Sequence, residues 1–248
     1  KNKHPRRRRT GNKTSLWDLK IPWKDTVLWR TRMIEVENLT KYYGPRRAIN
    51  NLTFQIAQGE VVGFLGPNGA GKSTTMNILS CILPASSGTA RIRGYDTFEH
   101  SLEIRKIIGY LPETPPLYPD MSVRDYLMFA AQIRGMTGKQ TGNAIEKVIE
   151  SCSLKDAGHR IIGRLSKGYQ QRVGLAQAMV HDPDILILDE PTLGLDPIQI
   201  IEIRKLIQDL AASHTIILSS HILPEITQIC QRVIIINEGE IAAVDSLE

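Results

Sequence analysis

No stretch of this 248-residue chain approaches the ~18 consecutive apolar residues that a membrane-crossing helix needs. If the task is transport, the channel must lie on another polypeptide. Cysteine is scarce as well. Cys81, Cys152 and Cys230 are scattered with no CxxC pair, which argues against a disulfide framework or a zinc site and fits a reducing compartment. The first 32 residues contain no continuous apolar segment of signal-peptide type. There is no N-K-x-D stretch of the guanine-reading kind, no internal repeat and no sustained heptad pattern.

Negative charge is sparse at one end only. Residues 1 to 32 hold eleven of the 31 Lys and Arg but two of the 26 Asp and Glu, a local charge of +9. The remainder carries 20 basic and 24 acidic residues, so the overall +5 belongs to the tail. The run Arg6-Arg7-Arg8-Arg9 could bind nucleic acid or anionic lipid. The plainer expectation is a basic extension, unstructured or lying upstream of a true start at Met33. The folded domain is expected over 33–248. The end at Glu248, in mid-pattern, leaves a C-terminal truncation open.

With 42% hydrophobic and 23% charged residues, a substantial core is expected. Alternation over 33–39 and 48–56 reads as strands, and VVGFL at 61–65 as a buried central strand. Further strands are expected at 88–94, 107–110, 184–189, 215–220, 232–236 and 240–244. Helices are expected from Lys72, after Ser122 with Asp125 as a capping pair, over Gly142–Ser151, over Lys167–Val180, and around Ile203, Leu206, Ile207 and Leu210. Alternating strands and helices predict an α/β fold with a mainly parallel sheet and an N-terminal antiparallel part. The helical block at about 115–165 interrupts that alternation and is expected to form its own lobe.

Gly66, Pro67, Asn68, Gly69, Ala70, Gly71, Lys72, Ser73 and Thr74 fit G-x-x-x-x-G-K-[ST], after a buried strand and before a helix. Glycines let backbone N–H groups curl around a phosphate, and the helix N-terminus adds partial positive charge. Lys72 can then reach the β- and γ-phosphates, and the Ser73 hydroxyl can ligate Mg²⁺. The run ILILDE at 185–190 ends a buried strand with two carboxylates. Asp189 is suited to hold Mg²⁺, and Glu190 to orient or deprotonate an attacking water. A phosphate loop alone would serve a kinase, a helicase or a transport motor equally well.

The stretch LSKGYQQRVGLAQAMVHDPDILILDEPTLGLDP, residues 165–197, closely resembles the signature-to-Walker-B block of ABC ATPases. The resemblance spans about Met33 to Val244. It implies a P-loop NTPase core, ATP as the nucleotide, and a second cassette, identical or related, sharing the site. It implies that Leu165, Ser166, Lys167, Gly168 and Tyr169 contact the γ-phosphate of ATP held by the partner, and that Asp196 crosses the interface. It makes His221 the γ-phosphate sensor and Tyr43 the ring that stacks on adenine, with Tyr42 its competitor. Glu113 stands where the family usually has glutamine, near the metal or the water. Lys167 and Tyr169 replace the middle glycine and final glutamine of the usual LSGGQ. The YLPE and LSKG stretches together look like the exporter-type branch. The resemblance thus implies an ATPase at the cytoplasmic face of the membrane, working with a separate membrane-spanning permease and without nucleic acid. The competing expectation is a soluble ABC ATPase acting on nucleic acid or ribosomes, or a regulatory cassette without catalysis.

Overall fold

The computed structural model describes residues 32–247, so the expectations placed on residues 1–31 lie outside them. Strands β1 (Arg32–Tyr43) and β2 (Arg46–Ala57) form an antiparallel hairpin. β4 (Ser87–Ile92) pairs on the other side of β1, and β5 (Tyr95–Asp96) completes a four-stranded antiparallel sheet in the order β2-β1-β4-β5. β1 and β2 run longer than their apolar alternation. Pairing continues past Leu39 through bulges to Tyr43 opposite Arg46, where backbone bonds persist after the side-chain pattern stops.

The second sheet has the order β10-β9-β3-β8-β7-β6. It consists of β3 (Val61–Leu65), β6 (Ile108–Leu111), β7 (Ile185–Asp189), β8 (Thr215–Ser220), β9 (Arg232–Asn237) and β10 (Glu240–Ser246). All neighbours are parallel except β10, which runs antiparallel along β9. Its central strands β3 and β7 and most of β8 read as apolar runs because both faces are covered, whereas β10 is largely exposed. Ile185 and Ile187 join a core with Ile34, Phe64 and Met76. Leu186 and Leu188, pointing the other way, join a core with Leu127, Val173 and Ile207.

Helices fill both layers. α1 (Lys72–Leu79) packs against the antiparallel sheet side, and α2 (Ser101–Ile107) leads directly into β6. α2 escapes the sequence pattern because it is seven residues long and buries only Ile104. α3 (Val123–Ile133) begins at the Ser122 cap, whose hydroxyl accepts from Asp125 N at 3.2 Å. α4 (Gly138–Ser151) starts four residues before its apolar periodicity, because its first turn has no apolar residue to bury. Both pack on α5 (Lys167–Met179). α6 (Pro197–Ala211) and α7 (Leu223–Ile229) are the last two helices among the described residues. No helix among the described residues is long and apolar enough to cross a membrane.

The arrangement fixes where chemistry can occur. Four adjacent parallel strands, β3, β8, β7 and β6, present their carboxyl ends along one edge, where α/β sheets place ligands.

Candidate nucleotide site

Each of those four ends carries part of one cleft. β3 feeds the loop Gly66–Gly71 and then α1, β7 ends at Asp189 and Glu190, β8 precedes His221, and β6 precedes Glu113. The cleft measures about 410 Å³. It is lined by Tyr43, Asn68, Gly69, Gly71, Lys72, Ser73, Thr74, Glu113, Glu190 and His221, together with Arg46, Ala48 and Leu193.

The loop is shaped by contacts that tolerate nothing larger than glycine at two points. A methyl group on Gly66 would sit 2.2 Å from the Ile236 carbonyl oxygen. Gly71 has φ +107°, and its missing side chain would meet Ile49 at 2.6 Å and the Ala48 carbonyl at 2.9 Å. That close backbone approach fixes the path of the loop, with Gly66 N–H donating to the Ser220 carbonyl at 3.3 Å and Ala70 N–H to the Pro67 carbonyl at 3.2 Å.

Lys72 is buried and folds back over the loop. Its ammonium donates to the Gly66 carbonyl at 2.7 Å and the Pro67 carbonyl at 3.3 Å. It also lies 3.2 Å from Glu190 Oε1, close enough to pair charges but without hydrogen-bond geometry. Glu190 Oε1 is thus a buried oxygen with no hydrogen-bond partner. The other oxygen, Oε2, is 3.0 Å from His221 Nδ1. Glu190 sits at φ +48°, an unfavourable region for a residue with a side chain, at a cost of about 1–3 kcal/mol. Its N–H donates to Ser219 Oγ at 2.9 Å, and its carbonyl accepts from Leu193 N at 3.1 Å, which hold it there.

Asp189 Oδ1 accepts from Ser73 Oγ at 3.1 Å and from Ser219 Oγ at 2.6 Å. Burial raises its carboxyl pKa above the ordinary value. The two hydroxyl donors oppose that rise, the Glu190 charge adds to it, and the Lys72 charge opposes it. The hydroxyl of Ser73 and the carboxylate of Asp189 are hard oxygen donors side by side, the chemistry a Mg²⁺ ion takes. Among the described residues no group of three or more His, Cys, Asp or Glu is gathered as a metal cluster, and Glu113 lines the same cleft as Ser73.

Tyr43 lines the cleft, with the Lys41 ammonium 5.5 Å from its ring centroid, while Tyr42 does not. Gly66, Pro67 and Ala70 belong to the same loop but do not line the cleft; Gly66 and Ala70 are buried and Pro67 is exposed. Leu165, Ser166, Lys167, Gly168 and Tyr169 stand elsewhere, at the start of α5, where Ser166 caps the helix by accepting from Tyr169 N. Gly168 lies against the Gln199 side chain, which would be 2.6 Å from any added methyl group. Asp196 caps α6 through Gln199 N at 3.0 Å. These residues are absent from the cleft of their own chain, yet adjoin one another.

Sequence reasoning missed Arg46, Ala48, Leu193 and Ser219. The first three are ordinary residues of a hairpin and a loop. Ser219 could have been found from register, since it pairs directly with Asp189 across β7 and β8.

Residues 49–193 match the family model described as ABC transporter. The chain is 42% identical over 211 residues to the bacitracin transport ATP-binding protein of Bacillus licheniformis, covering 84% of this chain and 68% of that one. It is 36% identical over 211 residues to the Nod factor export ATP-binding protein I of Paraburkholderia xenovorans, covering 83% and 68%. Among solved structures, a dimeric ATP-binding cassette in a post-hydrolysis state with ADP and Pi superposes with a TM-score of 0.78 at 26% identity, covering 87% of this chain and 99% of that one. With the phosphate loop, the two strand-end carboxylates and the histidine gathered on one sheet edge, this chain belongs to the ABC transporter family, as one of its ATP-binding, ATP-hydrolysing subunits.

Proposed function

We propose that this chain powers export through a membrane-spanning permease on a separate polypeptide, working from the cytoplasmic face as one of a pair of cassettes. The observation that carries the reading is a division of the motif residues. Asn68, Gly69 and Gly71–Thr74 of the phosphate loop, with Glu190 and His221, line one cleft, whereas Leu165–Tyr169 and Asp196 stand outside it. A nucleotide in the cleft therefore has its γ-phosphate end open to a second chain, identical or closely related, whose Leu165–Tyr169 segment would cover it.

Within each site the roles follow from position. Tyr43 offers a ring to the adenine. Lys72 leaves its carbonyl partners for the phosphate oxygens and stabilises the negative charge that grows on them. Ser73 and Asp189 would hold Mg²⁺, which when bound neutralises charge on the phosphate oxygens. Glu190 Oε1, which has no hydrogen-bond partner and loses its ion pair once Lys72 turns to the phosphates, accepts a proton from water as that water attacks the γ-phosphorus and the bond to ADP breaks. His221 holds the other Glu190 oxygen and sets the carboxylate's direction. Glu113 and the block at about 115–165 pass the resulting motion to the permease.

Transport is favoured over work on nucleic acid by the compact block between β6 and β7. Its helices α3 and α4 have 11 and 14 residues, too short for a long coiled-coil insertion. The relatives' roles in bacitracin transport and Nod factor export support the exporter assignment. The test is phosphate release by the purified chain with and without permease-containing membranes from its host. Export predicts basal ATPase activity that rises when the permease is present. Absence of ATPase activity in both preparations would refute the reading.

A further inference from the structure

Glu225 is a carboxylate only 5% exposed, set behind the cleft rather than in it, and none of the steps above uses it. Burying such a group is costly unless it is hydrogen-bonded. Here one oxygen, Oε2, accepts two hydroxyl hydrogen bonds, from Thr192 Oγ1 at 2.8 Å and from Ser220 Oγ at 2.8 Å. Ser220 Oγ in turn accepts from Ile222 N at 3.1 Å.

The partners' places in the chain are what give this contact consequence. Thr192 stands two residues after Glu190 and opens the Leu193–Asp196 stretch, with Leu195 N donating to its carbonyl at 3.3 Å. Ser220 is the last residue of β8 and the immediate neighbour of His221. His221 Nδ1 is 3.0 Å from Glu190 Oε2. A ring therefore closes: Glu190, along the chain to Thr192, across Glu225 to Ser220, along the chain to His221, and back to Glu190. Opening it at Glu225 would free the loop bearing Leu193 and Asp196 from the strand end bearing His221. An apolar side chain of similar size would fill the space but could not tie the two hydroxyls together.

We infer that Glu225 is a positioning residue for hydrolysis, fixing the loop after Glu190 and the His221 strand end in one register so that Glu190 stays aimed at the attacking water. The inference rests on the roles assigned above to Glu190 and His221. It adds that a residue outside the cleft governs turnover but not nucleotide binding, and that the Leu193–Asp196 loop and His221 move together.

The experiment compares full-length wild type with Glu225→Gln, Glu225→Leu, Thr192→Val and Glu190→Gln. It measures kcat for ATP, equilibrium binding of trinitrophenyl-ATP, and thermal melting. Thr192→Val and Glu225→Leu are expected to lower kcat about tenfold or more, the usual effect of losing a partner that orients a working group. Affinity for the analogue should stay within about twofold. Glu225→Gln keeps one oxygen for both hydroxyls and is expected to retain most of the turnover. Thr192→Val preserves volume and carries the test if Glu225→Leu fails to fold. Wild-type kcat in Thr192→Val overturns the inference, as does a parallel loss of kcat, affinity and melting temperature. If wild type turns over and Glu190→Gln does not, that failure leaves the proposed function standing. An inactive wild type would instead bring down the proposed function itself.

Discussion

At the residue scale, the site is organised around carboxylates held short of full satisfaction. Glu190 is buried, sits in a strained backbone conformation and leaves one oxygen without a hydrogen-bond partner. Converting it to glutamine removes the proton acceptor while keeping the shape. Glu190→Gln should cut turnover by roughly 100-fold or more while ATP binding persists, read by phosphate release alongside equilibrium dialysis. Lys72→Ala should instead lose affinity, because it deletes the ammonium that folds over the loop, and dialysis with labelled ATP would register that directly. Much of this was legible beforehand. The Gly66–Thr74 pattern and the ILILDE strand end name their chemistry because phosphate and metal binding demand those residue types in that order. Arg46 was not legible, since an arginine after a hairpin turn carries no pattern of its own, and Ser219 becomes legible only once β7 and β8 are set in register.

Elements bring these residues together and also set their tolerance. Gly71 must adopt φ +107° with the β2 backbone against it, so Gly71→Ala is expected to cost about 1–3 kcal/mol and to weaken nucleotide binding. Urea unfolding and binding titration on the same sample would measure both. A second element-level device lies where the end of α3 meets β6 and the loop before β7. His181 Nε2 lies 2.9 Å from the Ile108 carbonyl and 3.4 Å from Arg134 Nη1. Burial, reinforced by the Arg134 charge, lowers its pKa from 6.5 to about 4. The folded state therefore resists a proton that the unfolded chain accepts. Stability is lost as pH falls from about 6.5 toward 4 and is unaffected by this group above that window. Between pH 7 and pH 5 the loss should be about 1–2 kcal/mol, and His181→Gln should flatten it in urea titrations at the two pH values. The central parallel strands followed from unbroken apolar runs, and β1 and β2 from alternation. The ends of β1 and β2, the whole of α2 and the first turn of α4 did not, because backbone pairing or short length leaves no apolar pattern to read.

For the whole molecule, the informative feature is what a single chain leaves apart. Leu165–Tyr169 and Asp196 adjoin each other but do not reach the cleft that holds Lys72 and Glu190. The resemblance to ABC ATPases assigns Leu165–Tyr169 to ATP held by the partner, whereas residue types and spacing alone do not separate the two groups. Their separation is a property of the fold, since α5 begins away from the carboxyl ends of β3 and β7. Under the proposed function a second cassette completes the site, so assembly is expected to depend on the γ-phosphate. The most direct measurement is sedimentation of full-length Glu190→Gln with Mg-ATP, with Mg-ADP and without nucleotide, beside the same chain also carrying Gly168→Asp. A clasped triphosphate requires the mass to double with Mg-ATP alone and to stay single in the Gly168→Asp chain. A single mass with Mg-ATP, or doubling that ignores nucleotide and Gly168 alike, would contradict it.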